Sequence, residues 1–208
     1  MRIANLYSHL NGYEYMLVHR ANLMDEIEMA IAEIDANRFT KISKAKPTFG
    51  KILYDQKALN REFECILFPQ GWQSVTTPYY VTDDISTARE IANIRDKEEQ
   101  RAIILQRGYT PYRTNNQVDF VKDRVAVEVQ FGKYFSVAYD LHVKHTFFFL
   151  RNDIDVGIEI IPTRDMCVKM DTGVAWFENE VANVISEGRS NPNVPIVMIG
   201  IEQETIAI

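Results

Sequence analysis

The chain has 208 residues, 46% of them apolar and 25% charged. That is the make-up of an ordinary globular protein, not of a low-complexity or fibrous one, and two cysteines are too few for a disulfide scaffold at this length. No apolar run reaches the roughly 18 residues of a membrane span, and the opening MRIANLYSHLNG lacks a charged-then-apolar signal layout. A cytoplasmic protein with no membrane partner is therefore expected. The formal net charge of −6 counts against a surface coated with phosphate-binding charge, yet a catalytic cleft can be basic while carboxylates crowd elsewhere.

With no repeat, low-complexity tract or Gly/Ser linker, one domain over residues 1–208 is expected, since two halves would each have a thin core. Residues 21–36 place Leu23, Ile27, Ala30, Ile31 and Ile34 at helical spacing, with acids on the opposite face. Residues 48–54 read as a turn leading into a short apolar piece, and residues 58–68 as a helix stopped by Pro69 and Gly71. A strand is expected at 77–82. Asp84 and Ser86 can then cap one long, highly charged helix over 87–106, read as a solvated surface helix or, alternatively, part of a subunit interface. Cys65 and Cys167 each lie in an apolar stretch and read as small buried hydrophobes.

The centre of the chain changes character. Residues 117–121 suit a short strand and Lys122-Asp123-Arg124 a polar turn. Residues 125–131 (VAVEVQF) alternate cleanly, with Val125, Val127, Val129 and Phe131 on one face. A largely buried helix is expected over 137–150, buried strands over 154–161 and 194–201, and a helix over 176–187 stopped by Gly188. Alternating strands and helices predict an α/β fold: a mixed central β-sheet flanked by helices on both sides.

Alternation puts Ala126, Glu128 and Gln130 opposite the valines, with Glu128 and Gln130 about 7 Å apart by strand rise. If residues 117–120 pair back through the turn, Asp119 lies beside Glu128. Two carboxylates on a rigid sheet make a hard-oxygen site suited to Mg²⁺, with the Val129 carbonyl a possible third oxygen. Such an ion activates water and neutralises charge on a phosphate oxygen, and Gln130 would help to hold that water. The spacing by itself is weak evidence and favours ordinary solvated strand positions over a metal site.

The stretch Asp119-Phe-Val-Lys-Asp-Arg-Val-Ala-Val-Glu128-Val-Gln130-Phe-Gly-Lys-Tyr134 resembles the core of type II restriction endonucleases of the BglII and BstYI kind, in the PD-(D/E)xK nuclease superfamily. The likeness extends to residues 50–72 (GKILYDQKALNREFECILFPQGW) for both. Toward the BstYI kind it also includes residues 1–12, Tyr79-Tyr80-Val81-Thr82, residues 137–145, Ile154-Asp155-Val156-Gly157 and residues 196–201. It implies a PD-(D/E)xK endonuclease fold with Asp119 and Glu128 as catalytic acids. Gln130 falls where most of the superfamily has lysine and this branch has glutamine, which leaves more of the charge stabilisation to metal. It further implies a homodimer acting on double-stranded DNA at GATC-centred palindromes, RGATCY or a subset, with four-base 5′ overhangs. A cognate DNA methyltransferase is expected to protect host DNA.

The same resemblance directs attention to Lys133, whose ammonium suits a purine N7 or guanine O6 in the major groove. A second DNA-reading segment is expected at Asp171-Thr172-Gly173, before the helix that starts near Trp176. Lys122, Arg124, Lys133, Lys144 and Arg151 cluster in sequence around the site, while acids gather at 25–35 and at Asp96, Glu98 and Glu99. His142 and His145, three apart on one helix, raise zinc as an alternative, but no carboxylate or cysteine joins them at ligand spacing. Other readings are a repair or nicking nuclease of the same fold, a DNA-binding protein that does not cut, and a two-carboxylate glycosidase.

Overall fold

The computed structural model describes residues 1–204, which divide into two compact units: Ser74–Val118, and the remainder on either side of it. The larger unit begins with β1 (Arg2–His9), a strand that sequence pattern does not disclose because its burial is mixed rather than alternating. Helices α1 (Gly12–His19) and α2 (Ala21–Glu33) follow. The expected stripe of α2 is buried, but the helix stops at Glu33, because Ile34 turns extended and Asp35 caps a separate short turn. Strands β2 (Thr40–Ile42) and β3 (Ile52–Tyr54) form a two-stranded antiparallel sheet.

Helix α3 (Gln56–Leu67) starts two residues before the expected point, because the Asp55 carboxylate accepts from the amides of Lys57 at 3.1 Å and Ala58 at 3.4 Å. Its buried side is Leu59, Phe63 and Leu67, each four residues apart. Cys65 falls between them on the outer side and is exposed, contrary to the expectation of burial, whereas Cys167 is buried.

The smaller unit holds β4 (Gln73–Val81), α4 (Ile85–Ile91), α5 (Lys97–Gln106) and the first part of β5 (Tyr112–Lys122). The single helix expected over 87–106 is therefore two. Asp84 caps the first by accepting from Thr87 N at 2.7 Å, as anticipated. Asp96 starts the second by accepting from the amides of Glu98 at 2.7 Å and Glu99 at 3.3 Å. A cap inside a charge-rich run ends the helix that the charges alone would extend.

Back in the larger unit come the last residues of β5, then β6 (Val125–Val129) and one continuous helical stretch: α6 (Tyr134–Tyr139), a π-helical turn (Asp140–His145) and α7 (Thr146–Leu150). The chain closes with β7 (Val156–Pro162), α8 (Arg164–Cys167), α9 (Phe177–Glu187) and β8 (Ile196–Glu202). The sheet runs β1-β8-β7-β6-β5-β4. Strands β6, β7 and β8 are parallel, and β1/β8 and β5/β6 antiparallel, which is the mixed sheet expected. In the larger unit the Val125, Val127, Val129 and Phe131 face packs with Leu23, Ile27 and Phe63 from α2 and α3. The opposite face carries a second cluster around Val137, Leu141, Val184 and Met198. Buried on both sides, β6 and β7 are held where side chains on them keep fixed directions.

Candidate active site

The site starts from a turn. Lys122 pairs with Val125, so Asp123 and Arg124 alone make the loop, with φ of 44° and 69°. Two positive φ values in a two-residue loop are the hairpin geometry that matches strand twist. Neither residue is glycine, and the neighbourhood holds them. The Arg124 guanidinium grips both Asp155 oxygens at 2.9 and 2.6 Å and the Asn152 carbonyl at 2.6 Å. Arg20 Nε donates to the Asp123 carbonyl at 3.1 Å.

The register fixed by this turn, Phe120 to Val127 and Val121 to Ala126, places Asp119 at the next position along, opposite Glu128. Asp119 Oδ2 accepts from Val129 N at 3.2 Å. Parallel pairing with β7 then sets Glu159 level with Glu128. Three acids thus stand in a row on three adjacent strands. Sequence reading did not single out Glu159, the lone charge in an otherwise apolar strand.

The π-helical turn supplies the groups above this row. Lys144 Nζ lies 3.0 Å from Glu128 Oε1 and 2.7 Å from Asp140 Oδ1. Asp140 Oδ2 accepts from Gln130 Nε2 at 2.7 Å, and Gln130 Oε1 accepts from Gly132 N at 2.8 Å. Gln130 is thus bonded to the protein at both ends of its amide. His145 Nε2 is 3.2 Å from Glu159 Oε2, with both side chains fully buried. His145 Nδ1 and Glu159 Oε1 have no hydrogen-bond partner among the described residues. Asp140 and Lys144 carry a sequence signal, opposite charges four apart on a helix, though the sequence does not say that they face the catalytic strand.

Burial pushes the Glu128 carboxyl well above its usual range, and Asp119 and Asp140 push the same way against Lys144. Burial also raises Asp140, with Lys144 and Gln130 opposing. For Lys144 burial works against the charge, but Glu128 and Asp140 outweigh it and hold the ammonium protonated above its normal range. His145 is pulled down to about 3, by burial first and by the Lys144 charge second. Glu159 is raised well above normal by burial and then by Asp140 and Glu128. Strongly perturbed, mutually interacting carboxyl groups of this kind cluster at functional sites.

The oxygen-only set of Asp119 and Glu128 suits a hard divalent cation. Among the described residues no group of three or more His, Cys, Asp and Glu stands in metal-holding geometry. His142 pairs with Glu187 at 3.1 Å and His145 with Glu159 at 3.2 Å, so the two histidines face different carboxylates.

The structure also brings together Lys133 and residues 171–173, which lie far apart in sequence. Lys133 bridges to Val174, its Nζ donates to the Thr172 carbonyl, and Tyr134 N donates to the Gly173 carbonyl at 3.1 Å. Gly173 has φ of +81°, and a Cβ there would sit 3.4 Å from Lys133 Nζ. Asp171 pairs with Lys41 on β2 at 2.8 Å, a partner that sequence spacing does not suggest. Residues 171–173 are not at a helix N-terminus as expected: α9 begins at Phe177 after an extended Trp176, and the segment is instead a turn docked on Lys133. The other clustered cations are each engaged: Lys122 with Glu26 at 2.7 Å, Arg124 with Asp155, and Arg151 with Asp153 at 3.2 Å.

The mixed sheet with acids on adjacent strands is a restriction endonuclease fold. The crystal structure of restriction endonuclease BglII complexed with a DNA 16-mer superposes with a TM-score of 0.69 at 18% identity, over 100% of this chain and 81% of that one. Free BglII superposes with a TM-score of 0.61 at 15% identity, over 100% and 82%. No curated protein sequence matches the chain. Residues 4–201 match the model of the family described as restriction endonuclease BglII/BglIII, and the chain belongs to that family. It is accordingly a DNA-binding, site-specific DNA hydrolase, and enzymes of this kind generally use divalent metal ions. Among the described residues no helix is long and apolar enough to cross a membrane.

Proposed function

We propose that this endonuclease is of the BstYI kind: a homodimer that cuts both strands of a GATC-centred six-base palindrome, RGATCY or a subset, and leaves four-base 5′ overhangs. Residues 1–208 are read as one endonuclease domain of a cytoplasmic protein, with a cognate methyltransferase protecting host DNA. The observation that carries the reading is the register of the hairpin, which puts the Asp119 and Glu128 carboxylates side by side on a buried sheet.

In this reading Asp119, Glu128 and the Val129 carbonyl hold Mg²⁺, which when bound supplies an activated water and charge neutralisation at the scissile phosphate. Asp119 is aimed by the Val129 amide, and Glu128 is shielded from bulk water, so both keep their geometry before DNA arrives. Gln130 serves as the third catalytic residue of the strand, holding the site together through Asp140. Lys133 and the Asp171-Thr172-Gly173 turn form one base-reading unit. Their contact supports this, because it presents a lysine and a short polar loop as a single surface.

The test is digestion of a DNA of known sequence in Mg²⁺ followed by sequencing of the ends. Staggered double-strand ends at RGATCY sites are expected. Single-strand nicks, or binding without cutting, would refute the reading.

A further inference from the structure

Three acids, Asp119, Glu128 and Asp140, converge here with one cation. Residue 130, on the catalytic strand, has no charge to offer, and its amide is committed at both ends. The contacts run without a break: Gly132 N donates to Gln130 at 2.8 Å, Gln130 donates to Asp140 at 2.7 Å, and Lys144 Nζ reaches both Asp140 at 2.7 Å and Glu128 at 3.0 Å. Lys144 is not a surface ion pair: its side chain is 19% exposed, and those of Glu128 and Asp140 are 1% and 2%. Two features of the backbone hold it there. The π-helical turn carries Asp140 and Lys144 together, and His145, the next residue, is locked over Gly157 and Glu159. Turns of this kind inside α-helices are frequent at functional sites.

Resting on the endonuclease reading above, we infer that Lys144 is the resident cation of the active site, held on Glu128 and Asp140 through Gln130, and that it sets the affinity of the site for its divalent ion. It is a positioning residue: it acts through Glu128, one of the two acids that take the metal. An ammonium and a divalent ion draw on the same carboxylate charge, and beside carboxylates as buried as Glu128 and Asp140 the repulsion between them is weakly screened. Removing the ammonium leaves Asp119 and Glu128, with Asp140 close by, without a competing cation. A lysine with a merely structural role gives the opposite result, since its loss loosens the site and weakens binding.

The experiment titrates Mn²⁺ into the DNA-free protein at pH 8 by isothermal calorimetry, for wild type, Lys144→Met and Lys144→Arg. Lys144→Met is expected to bind Mn²⁺ at least tenfold more tightly, and Lys144→Arg, which keeps the charge, within threefold of wild type. A wild type too weak to titrate beside a titratable Lys144→Met is the same result. Equal or weaker binding by Lys144→Met, or no binding by either, overturns the inference. If Lys144→Met loses the wild-type melting transition, Lys144→Gln carries the same expectation and the same refutation. Cutting of DNA by wild type in Mg²⁺ is measured in parallel. A wild type that cuts nothing sinks the endonuclease reading, whereas a cutting wild type with unchanged affinity in Lys144→Met sinks only the role of Lys144.

Discussion

Replacing Gly157 by alanine probes the packing that seats the π-helical turn on the catalytic strands. The added Cβ would lie 2.6 Å from His145 Nδ1, 2.7 Å from its Cγ and 2.9 Å from its Cε1. Heavy atoms in contact prefer about 3.5–4.0 Å, so the overlap approaches 1 Å. Neither side has room to give. Gly157 sits in mid-sheet between Ala126 and Ile196, with its amide bonded to the Pro195 carbonyl at 2.9 Å. His145 is fully buried against Glu159. Overpacking of this kind costs about 1–3 kcal/mol. At about 2 kcal/mol, a protein of this size loses roughly 4–8 °C of melting temperature. Because Lys144 adjoins His145, cleavage should slow as well, even where the variant is fully folded. Scanning calorimetry with single-turnover cleavage at low temperature reads both effects. A Gly157→Ala protein that melts with wild type would refute the packing argument.

Gly12→Ala should be more damaging, because its Cβ would meet the Ile196 backbone at 2.5–2.7 Å and backbone cannot rotate away. Urea unfolding should show a larger loss than for Gly157→Ala. Hydrogen bonds from Arg124, and then from Tyr15, hold the Asp155 carboxyl below its usual range. A depressed acid stabilises the fold above its unfolded pKa of about 3.9, and that contribution fades as pH falls through the folded value. The melting-temperature gap between wild type and Asp155→Asn should therefore be steady from about pH 5 to 8 and close below about pH 4. Lys133→Ala should relax discrimination at the outer base pair more than it slows cutting of the preferred site, read by digestion of a library of flanking sequences; unchanged discrimination would remove Lys133 from base reading.

The local parts of this site are legible in the sequence, and the non-local parts are not. Strict alternation over residues 125–131 and a short polar turn are enough to place Asp119 beside Glu128, since only the two residues of the turn set that register. Glu159 reaches the same row through a parallel crossover, whose register depends on packing of the whole sheet. Lys144 and Asp140 are readable as a helix pair, but the π-helical winding that turns them toward Glu128 has no simple sequence signature. Likewise Asp96 looks like one more charge in a charged helix until its carboxylate is seen capping two amides. The Lys133 and Thr172 contact joins residues nearly forty positions apart, which only the fold reveals.

The most direct test of the account compares wild type with Asp119→Ala and Glu128→Ala in Mg²⁺ on DNA carrying one RGATCY site. Wild type should cut both strands, and both variants should cut neither while still binding that site in Ca²⁺. Cleavage retained by either variant at the wild-type rate would contradict the assignment of these two carboxylates as the catalytic centre.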